Sequence, residues 1–196
     1  MIKVGITGGI GSGKTMVCKV FELLGISVYY SDEESKKILD NDIKVKEQII
    51  KTFGNEILNV GGNIDRKKLS AAVFGDKEKL TLLNGIVHPS VTKHFEEWVK
   101  MHSSDKYILK EAAILFESGA NRLVDKVITV TAPVSLKIQR AMQRDNISEE
   151  QLVLRMKNQW SDEEKIKQSQ FVIFNNEDQL LIPQVLKIHE LLIANK

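Results

Sequence analysis

The sequence predicts an α/β fold, a parallel sheet of about five strands covered by helices on both faces. Three observations carry this expectation. Short apolar runs alternate with longer stretches of helical spacing, the first run breaks into a glycine-rich loop that opens a helix, and the only three prolines in 196 residues form no linker.

Ile2 to Thr7 reads as the first strand, followed by a helix from Lys14 to Leu24 with apolar residues at Val17, Val20, Phe21 and Leu24. Gly25 then stands where a helix-ending glycine belongs. Ser27 to Tyr30 is a second strand running into SDEE, where Ser31 and Glu34 have the spacing of a capping box. From Asp42 to Met101 the pattern is helical. It comprises Ile43 to Phe53 closed by Gly54, a turn at GGN, Asp65 capping Arg66 to Phe74, and helices on either side of His88 and Pro89. Strand signals return at Tyr107 to Ala113, Val127 to Thr131 and Phe171 to Phe174, between helical stretches Val134 to Arg144, Glu149 to Met156 and Gln179 to Ile193.

Composition excludes several classes. Hydrophobic residues at 42% and charged residues at 28% fit a soluble globular chain, and no apolar run approaches the ~20 residues of a spanning helix, so no membrane partner is expected. A net charge of +2 is well short of a nucleic-acid binder's footprint, so no nucleic-acid partner is expected and any anion site is local. Cys18 is the single cysteine; it excludes an intrachain disulfide framework and reads as packing within the first helix. The opening residues lack the basic region and small-residue cleavage site of a signal peptide, which favours a cytoplasmic location.

Gly8, Gly13, Lys14 and Thr15 satisfy G-x-x-x-x-G-K-[ST], between an apolar strand and a helix, where that motif has meaning. Gly8, Gly9, Gly11, Ser12 and Gly13 let the backbone turn its N–H groups toward one phosphate, at the positive end of the following helix. Lys14 adds a point charge for the β and γ phosphates, and Thr15 offers a hydroxyl to Mg²⁺. Met16 follows in place of a hydroxyl residue and still carries a backbone N–H. The bound phosphate belongs to a nucleoside triphosphate. No Asp is followed three positions later by Gly and no N-K-x-D occurs, which disfavours a GTPase switch; no LSGGQ-like segment marks a transporter. Small P-loop kinases remain. Lys137, Arg140 and Arg144 share a helix face, with Arg155 on the next helix, and read either as a solvated basic face or as charges over the transferred phosphoryl group.

The series GITGGIGSGKT, VYYSD, IDRKKLSAAVF, LLNGIVHPSV, AAILFESG, QRAMQRD with RMKNQ, and VIFNN resembles, nearly end to end, the dephospho-coenzyme A kinase family. The resemblance implies a P-loop kinase-like three-layer fold in one domain, with a core of 1–41, 105–135 and 169–196, a helical CoA-binding insertion at about 42–104 and a lid at about 136–168. It implies ATP as phosphate donor with Mg²⁺ and dephospho-CoA as the small-molecule partner; a monomer or weak homo-oligomer is expected. Asp32 corresponds to the acid that orients or deprotonates the acceptor hydroxyl, although beside Ser31 it also reads as a helix-cap acid. Arg66 would face the acceptor, and His88 with Pro89 would shape its pocket, unless His88 is simply a satisfied helix-start histidine. Glu117, closing the run AILFE, would meet metal-bound water as a strand-end acid. Arg140 would be the lid arginine, Arg144 would join it at the nucleotide, and Asn175 would lie next to the adenine.

The chain departs from the family pattern in reading Tyr30, Ser31, Asp32 where relatives read Asp-Ala-Asp, and in Ala113 where they usually carry Pro. Trp98 and Trp160 read as packing, the latter beside the lid. The rival readings are a nucleoside or nucleotide kinase on the same core and a nucleotide-dependent switch.

Overall fold

The computed structural model describes residues 1–73 and 75–194. Five strands form one sheet in the order β2-β3-β1-β4-β5: β1 (Ile2–Thr7), β2 (Val28–Tyr30), β3 (Tyr107–Glu111), β4 (Lys126–Thr131) and β5 (Phe171–Phe174). Every neighbouring pair is parallel. The strand that feeds the glycine loop is therefore central, with β3 and β4 on its two sides.

Alternation along the central strands decides what each face does. Val4 and Ile6 of β1, with Tyr107 and Leu109 of β3 and Ile128 and Val130 of β4, form a fully buried layer. Helices α1 (Lys14–Leu23) and α9 (Leu181–Ala194) cover it through Val17, Cys18, Phe21, Val185, Ile188 and Leu192. Cys18 is accordingly a packing residue, and burial pushes its thiol well above the ordinary range. The opposite face carries Gly5 and Thr7, with a smaller cluster of Ala112, Leu115, Phe116 and Val127. Here α8 (Asp162–Lys167) packs on β4, a helix that the sequence pattern did not signal because its six residues carry mostly charge.

The chain divides into two compact units, one of Met1–Tyr30 and the chain from His102 onward, the other of Ser31–Met101. The first holds the sheet, α1, α6 (Val134–Asp145), α7 (Glu149–Met156), α8 and α9. The second holds α2 (Ser31–Asn41), α3 (Ile43–Phe53), α4 (Arg66–Val73) and α5 (Lys77–Met101), with α5 packed against the other three. Asp65 caps α4 through hydrogen bonds from following amides, as its position suggested, and Asp42 does the same for α3. Phe74, expected to end α4, lies outside the described residues.

Two local expectations are corrected. The helices foreseen on either side of His88 and Pro89 are one continuous α5, with Pro89 inside it. A proline there removes one hydrogen bond, but Val87, Val91 and Phe95 bury a single face through it, and that packing holds the helix together. The Ser31 capping box does not form: Ser31 already belongs to α2, and its buried Oγ has no partner among the described residues. Glu34 pairs with Lys37 instead. A capping box does open α8, where Ser161 and Glu164 bond each other's amides. Among the described residues no helix is long and apolar enough to cross a membrane.

Candidate nucleotide site

The loop between β1 and α1 has the shape its glycines require. Gly11 and Gly13 have φ of 79° and 89°, which residues with a side chain rarely adopt. Space forbids a side chain as well: an added Cβ would stand 2.1 Å from the Lys137 carbonyl oxygen at Gly11 and 2.0 Å from Asn175 Nδ2 at Gly13. The Ser12 amide donates to Gly9 O at 3.1 Å, closing the loop's turn, and α1 begins at Lys14, so its N-terminal dipole and first N–H groups lie at the loop. The Met16 amide is already used by Gly13 O at 3.0 Å, so the N–H expected to reach phosphate is engaged within the first turn. Lys14 Nζ lies back over the loop, donating to Gly8 O at 2.8 Å and Gly9 O at 3.3 Å.

Asn175, just past β5, ties three parts of the site together. Its Nδ2 donates to Ser12 O at 2.9 Å, its amide to Thr131 O at 2.8 Å, and its carbonyl accepts from Arg140 Nη1 at 3.0 Å. The structure thus brings Gly8 through Met16, Arg140 and Asn175 together. Arg144 is engaged elsewhere: its guanidinium forms a two-pronged bond with Asp145 at 2.7 and 3.0 Å, which holds that carboxyl below the usual carboxylate range. Arg155 adds a contact with the same carboxylate at 3.6 Å.

Glu117 corrects a strand boundary. β3 ends at Glu111, so Glu117 is not a strand-end acid; it lies in the turns that follow. Its Oε1 accepts from the fully buried Lys165 Nζ at 3.0 Å and from the Trp160 amide at 2.7 Å, while Oε2 is buried with no partner among the described residues. The strand-end acid is Glu111, 7% exposed and in register with Ile6 of β1 and Tyr30 of β2. Sequence reading passed over it because Ala112 and Ala113 extend the apolar run past it. Tyr30, the residue in register with Glu111, is a neutral phenol: burial pushes its pKa up, and Cys18, Glu22 and Glu111 add to the shift.

A second buried pair went unnoticed in the sequence. Lys137 Nζ meets Asp162 Oδ2 at 2.8 Å, with side chains only 5% and 12% exposed, and Thr131 Oγ1 donates to the same oxygen. These residues line a cavity of about 720 Å³ that opens beside Gly9, with Ile138, Met156 and Trp160 on its apolar walls. Only the helical spacing of Lys137 hinted at this; Asp162 is one acid in a run of three.

In the other unit, Asp32 lies exposed in the first turn of α2. Arg66 pairs with Asp40 on an exposed surface. His88 is half-buried on one face of α5, along a groove of about 660 Å³ with Thr81, Asn84, Gly85, Pro89 and Thr92.

Comparison with known proteins finds relatives along nearly the whole chain. The family model described as dephospho-CoA kinase matches residues 2–180. The Bacteroides fragilis dephospho-CoA kinase is 42% identical over 187 residues, covering 95% of this chain and 91% of the relative. That of Fusobacterium nucleatum is 44% identical over 173 residues, covering 88% and 89%. The solved dephospho-CoA kinase of Campylobacter jejuni superposes with a TM-score of 0.72 at 30% identity, over 99% of this chain and 98% of that one. Matched by the family model over residues 2–180 and by a 42% identical relative over 95% of its length, this chain belongs to the dephospho-CoA kinase family.

Proposed function

We propose that the protein transfers the γ-phosphoryl group of ATP to the ribose 3′-hydroxyl of dephospho-CoA, giving coenzyme A and ADP, the last step of coenzyme A synthesis, in the cytoplasm. The observation that carries the nucleotide half is the glycine loop at the start of α1, with Gly11 and Gly13 in conformations and spaces closed to side chains. The family carries the acceptor half.

Lys14 leaves the Gly8 and Gly9 carbonyls to meet the β and γ phosphates, exchanging two neutral acceptors for charged ones. Arg140, fixed on the Asn175 carbonyl, stands ready for the equatorial oxygens of the transferred group. Asn175 holds the loop by Ser12 and borders the adenine, and Arg144 would have to leave Asp145 to join the nucleotide. Asp32 orients the acceptor hydroxyl; in a loose transition state, placement of the nucleophile matters more than a strong base. Its oxygen attacks the γ-phosphorus, the bond to the β,γ-bridging oxygen breaks, and the hydroxyl proton passes to Asp32. Arg66 and the His88 groove serve the acceptor.

The residues present fit Mg²⁺ carried by the nucleotide. Among the described residues no group of three or more His, Cys, Asp or Glu forms a protein-made cage, whereas a phosphate-bound Mg²⁺ needs few protein ligands, and Thr15 offers an exposed hydroxyl at the head of α1. When bound, the ion neutralises charge on the phosphate oxygens. Glu111, beside Tyr30 in the sheet, would offer a carboxylate to the ion's water shell; Glu117 keeps Lys165 and Trp160 in place. The protein works as a monomer or weak homo-oligomer.

The test is coupled ADP release with ATP, Mg²⁺ and a panel of dephospho-CoA, adenosine, AMP, CMP and no acceptor. Stimulation selective for dephospho-CoA is expected, and Asp32→Asn should lower that turnover while leaving the ATP Kd near its original value. Stimulation by a nucleoside or nucleotide alone, or an acceptor-independent rate, refutes the reading.

A further inference from the structure

The motif RMKNQ ends in Gln159, a residue that the reaction as described does not use. The chain leaves α7 at Met156 and turns tightly, with the Asn158 amide on Arg155 O and the Gln159 amide on Met156 O. This turn delivers Gln159 Oε1 to the crown of the phosphate loop, where it accepts from the Ile10 amide at 3.0 Å across 149 residues of sequence.

The base from which Gln159 reaches is rigid. Next to it, the Trp160 amide is bound by Glu117, and the Trp160 ring stacks on Phe116 with centroids 5.5 Å apart and planes 7° from parallel. Two residues on, Asp162 is held by Lys137 and Thr131, and its Oδ1 would lie 3.2 Å from a Cβ added at Gly9, with Lys137 Nζ at 3.3 Å. The crown is thus fixed at Ile10 by one side-chain acceptor and flanked at Gly9 by a buried ion pair. The chemistry suits the place: an amide oxygen accepts the N–H without adding negative charge beside a phosphate site.

We propose that Gln159 is a positioning residue for phosphoryl transfer, holding the Gly9–Gly11 crown in its phosphate-receiving conformation and tying that conformation to the end of α7. The proposal rests on the nucleotide-binding reading of the loop. It predicts that loss of the acceptor loosens the loop before any nucleotide arrives and weakens ATP, with little effect on the acceptor.

The experiment compares Gln159→Leu and Gln159→Glu with the unmodified protein. Amide hydrogen exchange of residues 8–13 in nucleotide-free protein is the first readout. Exchange at Ile10 should quicken about fivefold in Gln159→Leu, the worth of one ordinary hydrogen bond, and stay near the original rate in Gln159→Glu, which keeps the acceptor. In steady state both variants should raise the KM for ATP, the first by about fivefold from the lost clamp and the second from added charge, with kcat and the KM for dephospho-CoA within about twofold. Unchanged exchange at Ile10 in Gln159→Leu overturns the proposal, as does a fall in kcat with the KM for ATP unmoved. Calorimetry of ATP with the unmodified protein separates the two claims: no ATP binding there refutes the nucleotide reading, while the exchange arm still decides whether Gln159 holds the crown.

Discussion

The phosphate loop and the segment from Gln159 to Lys167 face the same end of the sheet but are built from opposite materials. The loop is made of backbone: glycines, N–H groups and a helix terminus, with Lys14 as its one charged side chain. The segment after α7 is made of buried charge: Asp162 on Lys137, and Lys165, fully buried, on Glu117 and the Ala113 carbonyl. A backbone site needs particular residues at fixed spacing and so leaves a contiguous motif. A side-chain support draws partners from distant positions and leaves none.

Breaking each region should therefore damage a different property. Lys14→Ala should have the largest effect, lowering kcat/KM for ATP by about 10²–10³-fold or more with little change in Tm, because in the proposed reaction the charge lost acts on the transferred group. Coupled ADP assays beside thermal melts measure both.

Lys165→Met should do the reverse. It strands Glu117 as a buried unpaired acid, at about 3–5 kcal/mol, so Tm should fall by about 10 °C. The double variant Lys165→Met with Glu117→Gln should recover much of that loss; a double variant as unstable as the single one would show that the pair is not the cause.

Glu111→Gln sharpens the comparison within the site itself. The Mg²⁺ concentration for half-maximal rate should rise severalfold while ADP binding without metal stays unchanged, as read by metal titration and calorimetry.

Lys110 gives the smallest and most diagnostic effect. It is 2% exposed, with Nζ 4.6 Å from the centroid of the Tyr29 ring, and burial lowers its pKa from 10.5 to about 8. Between pH 8 and 10.5 the unfolded chain binds a proton that the folded one does not, so this group makes stability rise with pH across that window. Lys110→Met should thus melt higher than the parent at pH 7, with the gain shrinking toward pH 10; a gain independent of pH would exclude titration of Lys110 as its source.

The same contrast explains what was legible in the sequence. The five strands, Asp65 as a cap, and the loop with Lys14 and Thr15 were readable because local spacing dictates them. Pro89 is a local signal that divides α5 in the sequence, whereas Val87, Val91 and Phe95 bury a face that only packing reveals. Glu111 was hidden by the apolar residues after it, and Asp162 and Gln159 by partners more than twenty residues away. The Ser31 box failed for a related reason: its spacing matched, but the helix begins at Ser31 itself.

The central position of β1 also has a consequence for biosynthesis. Its neighbours in the sheet, β3 and β4, begin at Tyr107 and Lys126, so the strand IKVGIT leaves the ribosome with neither partner yet made. At about 5–20 residues per second it waits on the order of ten seconds. Ser31–Met101 is one contiguous unit, so that helical unit can become ordered in the interval, while β1 stays an unpaired apolar strand open to chaperones or to other chains. The glycine loop is synthesised before the strands that flank β1, and the sheet that carries the loop is complete only when those strands arrive.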